Sequence, residues 1–96
     1  MSSDQKTLSK EIELGSIDIS IALALQSILI KHPNVSFAGV TPPHPLFGKV
    51  SIRVISKDIP PEKCLVDAAL LFKEELSNLY SVISSLLDKT EKVNEA

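Results

Sequence analysis

The sequence predicts an α+β fold, a small antiparallel-type sheet carrying a short buried helix and a long C-terminal helix, and three observations carry that prediction. Residues 50–55 alternate, with Val50, Ile52 and Val54 set against Ser51 and Arg53, the period of a half-buried strand. Residues 19–30 are almost wholly apolar and end shortly before Pro33, which suits a helix covered on more than one side. From Leu65 onward apolar residues return at spacings of three and four, the 3.5-residue average that one helix presents to another.

Taken in chain order, residues 1–10 are polar and aperiodic and read as a mobile tail. Ile12 and Leu14 then alternate with Glu11 and Glu13, which predicts a short strand closing at Gly15. Ser16, Asp18 and Ser20 are each competent to cap the helix that follows, since a short side-chain oxygen accepts from a free amide of the first turn. In that helix Ile21, Leu25, Ile28 and Leu29 form one stripe, while Leu23 and Ile30 lie on another. Residues 35–40 are a strand by composition, placing Val35, Phe37 and Gly39 on one face and Ser36, Ala38 and Val40 on the other. The connection to the next strand carries Pro42, Pro43 and Pro45, which stiffen it, and Gly48, which offers a turn. Pro61 fits a first helical position, where its missing amide is not needed, and the final helix is expected to reach about Lys89. This gives one domain over residues 11–90 with a frayed end at 91–96.

The final helix is the most regular element. Leu65, Phe72, Leu79 and Leu86 recur every seven residues, and Ala69, Leu76 and Ile83 fill the intermediate position. A helix of nearly thirty residues is about 40 Å long, more than strands of five or six residues can cover. Its distal half therefore needs a surface outside the domain. Composition points the same way: 44% of the 96 residues are hydrophobic, a high share for a chain whose small interior buries little.

Other functions find little support. Ten basic and twelve acidic residues give a net charge of −2, and the basic ones are scattered, which disfavours direct nucleic-acid binding. Four aromatics without tryptophan offer no platform for stacked bases. The single cysteine, Cys64, permits neither an intramolecular disulfide nor a cysteine-based zinc site, and beside an apolar run it reads as a small hydrophobe. Glu74 and Glu75 are neighbours on a helix and point about 100° apart, so they form no acid–base pair by themselves. No glycine-rich phosphate loop is present, no cofactor is expected, and no run is long enough for a membrane span. A soluble intracellular protein is expected. His32, at a helix end, suits the negative end of the dipole and is assigned no functional role. His44, held between two prolines, anchors the rival reading: a self-associating small α+β enzyme or ligand-binding domain.

The middle of the chain carries a resemblance. Lys31-His32-Pro33 leads into a strand ending Phe37-Ala38-Gly39; Pro43-His44-Pro45 follows, then Lys49-Val50-Ser51-Ile52-Arg53. In this combination and order the residues resemble the small alpha-like subunit of archaeal and eukaryotic RNA polymerases, called subunit L in archaea, over about residues 17–88. One segment departs: where members carry Asp-His-Thr-Leu-Gly-Asn, this chain has Asp18-Ile19-Ser20-Ile21-Ala22-Leu23. The resemblance implies a fold similar to the dimerisation part of the bacterial alpha-subunit amino-terminal domain. It further implies a non-catalytic subunit paired with the larger alpha-like subunit, the heterodimer serving as assembly platform for the two catalytic large subunits. The expected contact residues are Leu65, Ala69, Phe72, Leu76, Leu79, Ile83 and Leu86, supported by Ile21, Leu25 and Ile28. The expected compartment is the nucleus, or the cytoplasm in an archaeon.

Overall fold

A computed structural model describes residues 6–42 and 48–95, with side chains described through residue 90. The elements run β1 (Thr7–Gly15), α1 (Ile19–Ile30), β2 (Val35–Thr41), β3 (Val50–Lys57) and α2 (Pro61–Glu95). β3 is the central strand of a three-stranded sheet, antiparallel to β1 on one side and to β2 on the other. Both helices pack on one face, where Leu25 and Leu29 of α1 and Cys64 and Ala68 of α2 meet Ala38, Ile52 and Val54 of the sheet. This is the α+β architecture expected from the sequence.

β1 is longer than its alternation suggests. Residues 7–10, assigned above to the tail, pair with residues 54–57 of β3. The inward-facing positions here are Leu8, Lys10 and Ile12, and the lysine between two apolar residues hides the period of two. Lys10 reaches across to Glu62 at the start of α2, 2.7 Å away, and both side chains remain about half exposed. The strand is also tied at its start: the Lys6 amide donates to the Asp58 carboxylate (3.1 Å) and the Asp58 amide to the Lys6 carbonyl (2.9 Å). Asp58 itself has φ 69°, a conformation short polar residues tolerate better than most.

In β2 the expected split of faces is corrected by a bulge. The register shifts between Val35 and Phe37, so Val35 packs toward the core together with Ala38 and Val40, while Phe37 and Gly39 lie on the outer face. An extra residue in one strand has this effect. The Phe37 ring lies directly over Gly39, where an added Cβ would stand 2.8 Å from ring atom Cζ. β3 follows its alternation: Val50, Ile52 and Val54 are buried, and so is Ser56, whose hydroxyl donates to the Ile59 carbonyl at 2.6 Å. That bond satisfies a polar group at the end of an otherwise apolar row.

Of the three candidate caps of α1, Asp18 serves. Its carboxylate accepts from the Ser20 amide (2.9 Å) and the Ser20 hydroxyl (2.7 Å), and these bonds hold its carboxyl below the usual range. Gln26 fastens α1 to the sheet by donating to the Ala38 carbonyl at 2.9 Å. α2 continues past the expected end at Lys89 to Glu95, 35 residues, or about 52 Å. The chain measures 68 × 40 × 14 Å with a radius of gyration of 18.2 Å, whereas a compact domain of this length has about 12–13 Å. The excess is the distal half of α2, which leaves the body behind.

Candidate dimerisation surface

Along α2 the apolar residues divide into three groups. Cys64 and Ala68 are buried, and Leu65 and Phe72 are half-buried against the core. Beyond Phe72 every described side chain of the helix is exposed except Ser84. Leu76, Leu79, Ile83 and Leu86 nevertheless continue the core-facing line, each 49–57% exposed. At 100° per residue they share one side with Tyr80, Val82 and Leu87, which are also exposed. The face is therefore wider than a strict heptad seam, because sequence spacing identifies the centre of a stripe better than its margins.

The third group consists of Val66, Leu70 and Leu71, exposed on the first half of α2. Leu71 borders the end of α1 with Ile28, His32 and Pro33, and on α1 Ile19, Ile21, Leu23 and Ile30 are likewise exposed. The sequence marks this region as apolar all round, and the fold covers only one side of it. Of the residues expected to support the contact, Leu25 is a core residue, Ile28 is half-buried beside it, and Ile21 is exposed. Ala69 is exposed.

The family-motif residues separate by role. Ala38 and Ile52 are buried in the core. Pro33 sits in the turn after α1, and Phe37 with Gly39 forms the outer surface of β2. Arg53, also on the outer face, pairs with Glu11 (3.1 Å) and donates to the Ser9 hydroxyl (3.1 Å). Lys49 approaches Glu13 at 3.6 Å. Pro43, His44 and Pro45 lie outside the described residues.

One polar cluster escaped the sequence. His32 Nε2 lies 3.0 Å from Asp67 Oδ2, and Lys63 Nζ lies 2.6 Å from Asp67 Oδ1. The Asn34 amide donates to His32 Nδ1 at 3.0 Å. The hydrogen bonds from Lys63 and then His32 hold the Asp67 carboxyl below its ordinary range. His32 and Asp67 are 35 positions apart, so no local spacing could have joined them. Cys64 is fully buried, and desolvation, reinforced by the Asp67 charge, pushes its thiol upward. That is the reverse of what a nucleophile needs. Among the described residues no group of three or more His, Cys, Asp or Glu side chains could hold a metal ion, and no helix is long and apolar enough to cross a membrane.

A thin two-layer body, a helical face left apolar and a helix that overruns its own sheet define a dimerisation module, a protein whose working surface is completed by another chain. The comparisons with known proteins give that class its family. Residues 9–82 match the family model described as the RNA polymerase Rpb3/Rpb11 dimerisation domain, and the chain belongs to that family. It is similar to DNA-directed RNA polymerase subunit Rpo11 of Sulfurisphaera tokodaii, 26% identical over 77 residues that cover 79% of this chain and 83% of the relative. It is thus a small alpha-like RNA polymerase subunit that dimerises.

Proposed function

We propose that this chain is the smaller half of a heterodimer with the larger alpha-like RNA polymerase subunit, and that the pair is the platform on which the two catalytic large subunits assemble. The observation that carries this reading is the run Leu76, Leu79, Ile83 and Leu86, apolar, half-exposed and beyond the reach of the chain's own sheet. Leu65, Phe72 and Ile28 join that run to the core, and Leu25 supports them from beneath. Ile21 and Ala69 extend the contact across the helical layer. The subunit contributes surface and the large subunits contribute the chemistry. The altered segment Ile17 to Leu23 is where docking to the large subunits would differ from that of relatives. The compartment follows the polymerase: the nucleus in a eukaryote, the cytoplasm in an archaeon.

Expression of the chain alone and together with the larger alpha-like subunit of the same genome tests the reading. The expected result is aggregation or self-association alone and a soluble one-to-one complex on co-expression. A stable, monodisperse homodimer that ignores the larger subunit would refute it and favour the rival, a self-associating enzyme or ligand-binding domain.

A further inference from the structure

The exposed run of α2 has a symmetry of its own. Leu76 and Ile83 occupy one position of the seven-residue repeat, and Leu79 and Leu86 occupy the other. Laid antiparallel on a second copy of itself, about a twofold axis beside Ser81, the run sets Leu76 against Leu86 and Leu79 against Ile83, each pair occurring twice. The margins obey the same axis. On one flank Val82 meets its own counterpart, midway between Glu75 and Lys89; on the other, Tyr80 meets Tyr80. Antiparallel helices bring like flanks together, so Glu75 of each chain lies opposite Lys89 of the other. Both residues are exposed, and neither has an ion-pair partner among the described residues. Residues 76–87, which lie between them, carry no charge, so no like charges meet in the middle of the seam.

The surface on offer suits a pair of this kind. Leu76, Leu79, Ile83 and Leu86, with Tyr80, Val82 and Leu87 at the margins, are each 49–73% exposed. At about 100 Å² apiece they offer roughly 700 Å² per chain, close to the ~800 Å² per partner of a standard-size interface. The axis lies about nine residues, or ~14 Å, beyond Phe72, the last side chain of α2 packed on the core. The two sheets therefore stand at opposite ends of the pair, clear of the seam. A parallel pair would instead bring the two bodies side by side and set Glu75 against Tyr80, with no opposite charge to meet.

We propose that the solitary chain forms a weak antiparallel homodimer through the distal half of α2, and that this dimer covers the pairing face until the larger alpha-like subunit displaces one copy. The exchange rests on the pairing reading above; the self-complementarity of the run does not. The seam is short, and its two ion pairs are exposed to solvent, where each contributes little. The homodimer is therefore concentration-dependent and yields to a partner that engages α1 as well.

Sedimentation of the full chain alone, over a range of concentrations at low salt, tests this. The parent is expected to pass from monomer to dimer and no further, as a closed twofold pair must. Glu75→Lys and Lys89→Glu each set like charges across the seam twice and are expected to weaken the dimer about tenfold. The double variant restores opposite charges and is expected to dimerise within roughly threefold of the parent. Since both side chains are exposed, circular dichroism should show the folded body unchanged in all three. Adding the larger alpha-like subunit should replace the dimer with a one-to-one complex. A chain that is monomeric at every concentration, open-ended aggregation, single variants that dimerise like the parent, or a double variant as weak as the singles would overturn the proposal. An intact one-to-one complex would then leave the pairing reading standing, whereas a homodimer unmoved by excess larger subunit would overturn both.

Discussion

Leu79→Asp is the cleanest perturbation of the surface assigned to pairing. Leu79 lies on the run that overruns the sheet, is 53% exposed and packs against none of the buried core. Full burial of a leucine side chain contributes about 1.5–3 kcal/mol, and roughly half of that area is still free here, so about 1–1.5 kcal/mol is available to an interface. Replacing it by aspartate removes that contribution and places a carboxylate in an apolar seam, where an unpaired charge costs several kcal/mol more. Taking about 3 kcal/mol for the charge gives ~4 kcal/mol, or about a thousandfold in the dissociation constant. The assay is co-purification with the larger alpha-like subunit, followed by sedimentation or calorimetry on the surviving complex. The variant's own fold is expected to be intact, with the circular dichroism of the parent chain. Phe72→Ala is a poorer probe, because Phe72 is half-buried against the core and its loss also weakens the domain. A Leu79→Asp chain that pairs within a factor of a few of the parent would refute the assignment of this face.

Two further outcomes follow from the interior. Ser56→Ala leaves the Ile59 carbonyl without its 2.6 Å donor and is expected to lower stability by about 1–2 kcal/mol, read as a fall in melting temperature; an unchanged transition would show that the bond contributes nothing net. Cys64, fully buried with its thiol pushed upward, should react with a disulfide reagent only when the chain unfolds. Rapid modification of the folded chain at neutral pH would contradict that placement.

Much of this fold is legible in the residues, and the exceptions have particular causes. β3 is legible because all of its inward positions between Val50 and Val54 are apolar. α2 is legible because its stripe is regular and Pro61 marks its start. β1 is half hidden because Lys10 occupies an inward position and is satisfied by Glu62, a partner 52 residues away. The bulge in β2 moves Val35 from the face of Phe37 and Gly39 to that of Ala38 and Val40, and residue type alone does not announce a bulge. The exposed apolar stripe can be read from its spacing, but its width cannot, since Tyr80, Val82 and Leu87 join it only through the side-by-side geometry of a real helix. The His32–Asp67 bridge depends wholly on tertiary placement and has no sequence signal.

The overrunning half of α2 has a consequence for how such a complex forms. Beyond Phe72 the helix contains Ser77, Asn78, Ser81, Val82, Ile83, Ser84 and Ser85, residues of modest helix propensity, and of its described side chains there all but Ser84 are exposed. A helix without tertiary cover is marginal in water. In the solitary chain, amide hydrogens there should exchange far faster than those near Cys64 and Ala68, and slow once the larger subunit binds; equal protection before and after binding would contradict this. Association is then partly a folding reaction, in which the second subunit acts as the missing core of the first. Each half would be fully ordered only when its counterpart is present, which couples the supply of one subunit to the survival of the other.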